Sequence, residues 1–306
     1  MAVLAINGGT PVRTTPYPSW TTYTETDKKG LEQTYYNGYW APDGEKNREF
    51  QEKMAAFSGV KHCLTVANGT VSIELILRAL GLGRGDEVIV PPYTFIASIS
   101  ALIYAGVKPV FADVDEKTFL ISAPEIEKKI TPKTKAIIIV SLFGLMPDMD
   151  AIMAIAKKHN LIVIEDDAQC FLGKYKGQNA GTIGHMSSFS FQASKHLTSG
   201  EGGMVTTNDD ELALQLRRFS GLGYGSITMK KARITKDDIQ NPAYERHVAL
   251  GWNYRMSDVV GAVALAQTER MEELCDMRKA SGKIIEEGAA GCDWLIPQYT
   301  PEECEH

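Results

Sequence analysis

Residues Ser187–Met204 read SSFSFQASKHLTSGEGGM. Ser188, Phe189, Ser190 and Phe191 alternate polar and apolar, the period of a half-buried strand. The alternation stops at Ala193, and Lys195 follows just past the strand end. Gly200-Glu201-Gly202-Gly203 then supplies backbone freedom for a tight return, and Met204-Val205-Thr206-Thr207 is strand-like again. A lysine held at a strand end, with glycine turns behind it, is placed to face a bound group. Taken alone, the same pattern also describes a surface lysine on a hairpin, since most lysines are exposed and without a special role. The surrounding sequence decides between the two.

Strands and helices alternate on both sides of this stretch. Glu45 to Phe57 has helical spacing and stops at Gly59; His62 to Ala67 is a short apolar strand. Asn68-Gly69-Thr70 opens a helix carrying Ile73, Leu75, Ile76, Leu77 and Leu80. Further strands are expected over 87–90, 110–113, 136–142 and 161–164, and helices over 94–104, 124–130, 147–159 and 209–219. Pro124 and Pro147 open two of those helices, where a missing N–H costs nothing. Residues 1–45 read as irregular, 221–244 as a polar excursion, and Ser257 as the cap of one long helix to about Ala280 with Val259, Val260, Val263, Leu265, Ala266 and Met271 inward. Strands apolar almost throughout, alternating with helices, imply an α/β fold whose mostly parallel sheet is covered on both faces. Such sheets collect functional groups beyond the C-terminal strand ends. Asn68-Gly69-Thr70, Asp166 and Lys195 all fall there.

The bulk properties exclude several classes. The chain has 306 residues, 44% hydrophobic and 23% charged, with a net charge of −6. No basic stripe of the kind nucleic acid or an anionic membrane selects is visible. The longest apolar run, Ala136 to Met146, is too short to span a bilayer. MAVLAINGG lacks the basic and apolar regions of a signal peptide. Five scattered cysteines without CxxC spacing imply reduced thiols and a cytoplasmic setting, with Cys63 and Cys170 as small core residues. No histidine lies near Asp166 to suggest a metal site.

The three strand-end features can be assigned chemistry. Gly69 and Thr70 at a helix start offer backbone N–H groups, a helix dipole and a hydroxyl, which suit a phosphate; a plain N-cap is the alternative. Asp166 follows a strand of pure hydrophobics, so its charge needs a partner: a metal, a salt bridge or a protonated ring nitrogen. A phosphate cradle, a buried carboxylate and a strand-end lysine are together the phosphate, ring-nitrogen and aldehyde partners of pyridoxal phosphate.

With these residues in view, the chain resembles the DegT/DnrJ/StrS family of sugar and cyclitol aminotransferases, which are pyridoxal-phosphate enzymes of fold type I. The resemblance rests on Asn68-Gly69-Thr70, Pro92-Tyr93-Thr94-Phe95-Ile96-Ala97-Ser98, Ile164-Glu165-Asp166-Asp167-Ala168-Gln169, Ser188–Phe191, Lys195 with Gly200–Gly203, and Gly251-Trp252-Asn253-Tyr254-Arg255-Met256. Their order and spacing make the set specific. The resemblance implies a mostly parallel seven-stranded sheet, a large cofactor-binding domain over 1–255, and a connecting helix with the start of a smaller domain over 256–306. It implies that Lys195 holds the cofactor covalently and moves a proton during catalysis, that Asp166 keeps the pyridine nitrogen protonated, that Phe95 stacks on the ring and that Gln169 lies near its hydroxyl. Gly69, Thr70 and Ser190 would hold the phosphate. Asn253 and Arg255 would reach the neighbouring subunit's site, making a homodimer the catalytic unit. Relatives with histidine in place of the lysine dehydrate rather than transaminate; here that residue is Lys195, with His196 beside it. Family members continue past Pro301–His306 into a small C-terminal domain, a departure that puts active-site closure in question.

The implied reaction takes an amino group from glutamate or glutamine, through pyridoxamine phosphate, to a keto-sugar or keto-cyclitol. Asn7-Gly8-Gly9-Thr10-Pro11-Val12-Arg13 with Pro18-Ser19-Trp20 resembles the subgroup acting on scyllo-inosose-type cyclitols and aminobenzoate precursors. Tyr35, Tyr36, Tyr39 and Trp40 either line the substrate pocket or form a surface cluster. Another lysine-linked pyridoxal-phosphate enzyme and a non-catalytic binding protein on the same fold are the rival classes.

Overall fold

The computed structural model describes residues 3–17, 19, 21–229, 231 and 234–306. Two helices come first, α1 (Glu25–Asn37) and α2 (Glu45–Ser58). Then follow β1 (His62–Val66), α3 (Gly69–Ala79), β2 (Glu87–Val90), α4 (Ala97–Ala105), β3 (Lys108–Phe111), α5 (Ala123–Lys129), β4 (Thr134–Val140), α6 (Met149–His159) and β5 (Ile162–Asp166). Two short strands, β6 (Lys174–Tyr175) and β7 (Gln178–Asn179), precede β8 (Met186–Ser190) and β9 (Gly203–Thr207). The chain continues through α7 (Asp210–Ser220), α8 (Lys236–Gln240), α9 (Asp258–Thr268), α10 (Met271–Ala289) and β10 (Cys304–Glu305).

The main sheet has seven strands in the order β1-β9-β8-β5-β4-β2-β3. β9 alone runs against its neighbours β1 and β8; the other pairings are parallel. The expected mostly parallel sheet is therefore present, and its apolar strands are buried on both faces, with Val88–Val90 and Ile137–Ile139 fully inaccessible. The parallel strands and β1 end at one edge, so the segments leaving β1, β5 and β8 meet there. The pieces β6, β7 and β10 form a separate small sheet.

Four sequence expectations need correction. The stretch over 1–45 is not wholly irregular, because α1 lies within it. Its start is written in a capping box, Thr24 with Asp27, and its end in Gly38; with only Asp27 and Thr34 buried, it carries almost no apolar periodicity to reveal it. The polar excursion includes the short α8, capped by Thr235 and Asp238. The single helix from Ser257 is two, α9 and α10, parted at Glu269–Arg270. The face of α9 that is buried is also different: Gly261, Ala262, Ala264 and Ala266 are inside, whereas Val259, Val260, Val263 and Leu265 are only half-buried. Small residues suit that face because α2 passes close by. A Cβ on Gly261 would stand 2.7 Å from Asn47 Oδ1, while Asn47 donates its backbone N–H to Asp258 (2.8 Å) and its side-chain amide to the Met256 carbonyl (3.0 Å).

β5 carries its charges further into the sheet than expected, since Glu165 and Asp166 are strand residues. Glu165 is fully buried and accepts the amides of Gly181 and Ile183, both at 2.9 Å, which pins the segment before β8. Asp167, also fully buried, accepts the Ser141 hydroxyl at 2.7 Å on Oδ1, while its Oδ2 has no partner. Burial pushes both carboxyls above their ordinary pKa, and the nearby Glu165 and Asp166 charges push Asp167 further. A carboxyl whose folded pKa exceeds its unfolded value binds its proton more tightly in the native state. Its contribution to stability is lost as pH rises from the unfolded pKa toward the folded one.

Two predictions follow from this packing. Asp167→Asn keeps the acceptor for Ser141 without the charge, so at pH 7.5 it should be more stable than wild type by about 1 kcal/mol, a gain that fades toward pH 4.5. Urea unfolding at the two pH values measures this; an equal or larger gain at pH 4.5 would contradict it. At Gly203, where β9 begins, a Cβ would lie 2.4 Å from the backbone carbonyl of Asn68. Gly203→Ala should destabilise by about 1–3 kcal/mol, because backbone on both sides must move. An unchanged urea midpoint would show that the strand yields freely.

Candidate functional site

The site sits on the edge where β1, β5 and β8 end. Asn68 caps α3, its side-chain oxygen accepting the Val71 amide at 3.0 Å. The preceding two amides, of Gly69 and Thr70, have no protein partner among the described residues. Orphan donors at a helix start are a ready anion site. Gly69 must be glycine, since a Cβ there would come within 2.8 Å of Ser190 Cβ. That close approach sets Ser190 directly beside the start of α3.

Asp166, at the end of β5, is buried with 5% of its surface exposed. Ser98 donates its hydroxyl to Oδ2 at 2.6 Å, and the Ala168 amide reaches Oδ1 at 3.3 Å. Burial raises the carboxyl pKa, opposed by the Ser98 and Ala168 hydrogen bonds and by the Lys195 charge. One hydroxyl and one long amide contact do not offset the loss of hydration of a carboxylate. The residue is built to receive a further cation.

Beyond β8 the chain makes the tight return read from the sequence. The Phe191 amide donates to Gly202 (2.8 Å), Ala193 to Gly200 (2.9 Å) and Lys195 to Gln192 (2.8 Å). Gly200 closes the loop at φ 85°, a conformation that side-chain-bearing residues rarely adopt. Lys195 leaves this turn with Nζ 6.0 Å from the centroid of the Phe95 ring, itself 64% exposed. Burial lowers the Lys195 pKa; Asp166 works against that shift and Arg278 adds to it. His196, next in the chain, is a neutral base: burial, then the Arg278 and Lys195 charges, push its pKa down to about 4.

A cavity of about 880 Å³ opens beside the lysine, lined among others by Tyr17, Thr22, Gln169, Lys195, Gln267 and Arg278. Gln169 is fixed there, accepting the Phe143 amide at 2.9 Å. Phe143 lines the same cavity and holds a left-handed backbone (φ 61°), so its ring packs edge-on against Tyr93, 6.3 Å away.

Seven of the expected residues, Gly69, Thr70, Phe95, Asp166, Gln169, Ser190 and Lys195, therefore lie along one sheet edge. Asn253 and Arg255 do not line the lysine's cavity. They bond to each other (Arg255 Nε to Asn253 Oδ1, 2.9 Å), and Arg255, whose backbone pairs with Val66 at the end of β1, lines a different cavity of about 350 Å³. Tyr35, Tyr36 and Trp40 form an exposed cluster with Leu31 and Val259 rather than lining the lysine's cavity. Pro18 and Trp20 of the N-terminal motif lie outside the described residues. Among the described residues no group of acidic, histidine or cysteine side chains could hold a metal, and no helix is long and apolar enough to cross a membrane. The five cysteines are free thiols, and Cys63 and Cys170 are in the core, as expected. Two site residues escaped the sequence reading. Ser98 was within a quoted motif but had no role, and its position one helical turn after Thr94 was the available signal. Arg278 carried none, lying 83 residues after Lys195 in a separate helix.

The aminotransferase family DegT/DnrJ/EryC1/StrS matches residues 21–306. GDP-perosamine synthase of Caulobacter vibrioides is 43% identical over 225 residues, covering 74% of this chain and 57% of that enzyme. L-glutamine:2-deoxy-scyllo-inosose aminotransferase of Streptoalloteichus tenebrarius is 36% identical over 92% of this chain and 67% of its own length. Among solved structures, a chain from Streptococcus pneumoniae assigned as a sugar aminotransferase, in its PLP form, superposes with a TM-score of 0.83 at 28% identity, over 93% of this chain and 74% of that one. This chain thus spans little more than half to about three-quarters of the proteins it matches. It belongs to the DegT/DnrJ/EryC1/StrS aminotransferase family.

Proposed function

We propose that the protein transfers an amino group from glutamate or glutamine to a keto-sugar or keto-cyclitol, with pyridoxal phosphate (PLP) as cofactor. The observation that carries this reading is Lys195 on the turn past β8, its amine over the Phe95 ring and its charge acting on the buried Asp166. The residues present fit the cofactor. The orphan amides of Gly69 and Thr70 and the Ser190 hydroxyl suit its phosphate, Phe95 its ring face, and Asp166 a protonated ring nitrogen as the missing counter-cation. Gln169 lies beside the lysine, suited to the ring hydroxyl.

When bound, PLP supplies an aldehyde that links to amines and an aromatic ring that draws electrons from the carbon bearing the amine. The protein's residues do the rest. Lys195 would anchor the group through its amine and, once displaced, its Nζ would take up and release the proton of the amine-bearing carbon. Burial lowers its pKa, which eases release of the proton from the amine. Asp166 holds a proton on the ring nitrogen by staying charged, and Ser98 keeps the carboxylate oriented. Phe95 and Gly69 limit where the group can lie.

Asn253 and Arg255 line no part of the lysine's cavity, which supports the reading that they complete the neighbouring subunit's site, so that a homodimer is the working unit. The same reading assigns residues 1–255 to a large cofactor-binding domain and 256–306 to a connecting helix and the start of a smaller one. The free, scattered thiols favour a cytoplasmic setting. The hydroxyl-rich lining at Ser19, Thr21, Thr22 and Ser281 suits a polyhydroxylated acceptor, and the N-terminal motif favours a cyclitol.

Adding PLP should produce a visible absorbance band that bleaches with glutamate or glutamine. Lys195→Ala should lose the covalent band and at least about a thousandfold in turnover while retaining its fold. Asp166→Asn should bind PLP but slow the bleaching at least about a hundredfold. Wild-type turnover in either variant would overturn its assigned role. Mixing Lys195→Ala with Asn253→Ala protomers should restore a fraction of the activity that neither has alone; a mixture as inactive as its components would count against shared sites.

A further inference from the structure

α10 sits on the body of the protein through Met271 and Cys275, both buried. Arg278 comes three residues after Cys275, on the same helical face. Its Nη2 donates to the backbone carbonyl of Lys195 at 2.9 Å and to that of Ser194 at 3.3 Å. A charged donor shared between two carbonyls is a strong, directional clamp. It ties α10 to the one turn that carries the reactive amine, with no other side chain of α10 in hydrogen-bond contact with that turn among the described residues.

We propose that Arg278 is a positioning residue for Lys195. Its guanidinium fixes the Ser194 and Lys195 carbonyls so that the lysine amine stays over the Phe95 ring, and its charge, held behind the turn, disfavours the ammonium form of that amine. The proposal rests on Lys195 being the cofactor-binding lysine. The charged and titratable groups facing the amine are Asp166 from β5, Arg278 from α10 and His196 beside it in the chain. Asp166 favours the ammonium and Arg278 opposes it. His196 is neutral through the working pH range, so it does not contribute a competing charge. Removing the Arg278 charge leaves burial alone to oppose Asp166, and the Lys195 pKa then rises.

The charge and the clamp can be separated. Arg278→Gln removes the cation and keeps one N–H donor group; Arg278→Lys keeps the cation but ends one bond short of the Nη2 position that meets both carbonyls. In the cofactor-free protein, the rate at which an amine-reactive ester acylates Lys195, followed by peptide mass spectrometry across pH, reports its protonation. Arg278→Gln should raise the titration midpoint by about half a unit, cutting the rate at pH 8 by about threefold. Arg278→Lys should return the midpoint to the wild-type value. Amide hydrogen exchange at Ala193 and Lys195 should quicken in both variants, because their turn hydrogen bonds lose the clamp. A purely structural role would quicken exchange in Arg278→Gln without moving the midpoint, and that result would overturn the electrostatic part. Wild-type exchange in Arg278→Lys would overturn the positioning part, and this variant decides the matter should Arg278→Gln fail to fold. Failure of the underlying reading looks different: wild-type protein would give no visible band with PLP, whatever the two variants do to the cofactor-free titration.

Discussion

A carboxylate at the buried end of a strand is the constraint around which this site is arranged. Asp166 has 5% of its surface exposed, one short hydrogen bond from Ser98 and one long one from Ala168. In that state its proton is held more tightly than in water, because the charged form has lost hydration that the protein only partly replaces. A positive charge restores the balance. The chain supplies one at a distance, on Lys195, and on the proposed reading a protonated ring nitrogen supplies another. The lysine's own pKa moves the opposite way, lowered by burial. One apolar edge thus pushes an acid toward holding its proton and a base toward releasing it, and both tendencies reverse as soon as a complementary charged group binds. A site of this kind favours a ligand that supplies the missing charge.

The sheet explains how those groups come together. Parallel strands end on the same edge, and β1, β5 and β8 do so here. β9, entering antiparallel between β1 and β8, brings Gly203 against the Asn68 carbonyl, so the cradle's floor is backbone packed on backbone. Gly69 against Ser190 repeats the device one strand over. Neither place tolerates a side chain, and the close packing that results fixes the Gly69 and Thr70 amides relative to the lysine turn. The lysine turn is then fixed from the other side by Arg278, so its position is determined by the sheet and by α10 together.

What could be read from the sequence followed this division. Most strand interiors were legible because burial on both faces demands apolar runs, and the helices between them because their apolar faces repeat; β8 is the exception, since its alternation reads as half-buried yet Ser187, Ser188 and Ser190 are all inside. Lys195, Asp166 and Gly69 stand out because each lies at or just past a strand end, whereas Ser190 is singled out by the family resemblance alone. α1 was not, because its stability comes from a capping box and from packing against α9 through polar residues such as Asp27, whose carboxylate accepts the Gln267 amide at 2.6 Å. The break at Glu269–Arg270 was hidden by residues that are all good helix formers. Arg278 was invisible because its partners are backbone carbonyls, which have no sequence signature. The valines of α9 misled for a related reason: a close helix crossing selects small residues, so the larger apolar ones lie at its margin.

Exposure at the site points to one further step. Phe95 is 64% exposed, Tyr93 49% and Phe143 52%, all on the rim beside Lys195. Aromatic rings are worth most when covered on both faces, and a flat ligand stacked on Phe95 covers only one of them. Asn253 and Arg255, whose side chains bond to each other and do not line the lysine's cavity, are the expected residues that remain unplaced. On the proposed reading both observations have one cause. The edge of the sheet builds half of an enclosed site, with the charges and the cradle, and a second copy of the chain supplies the cover. Such an arrangement lets a cofactor enter an open cradle while catalysis waits for a closed one, since water is excluded only once the two halves meet.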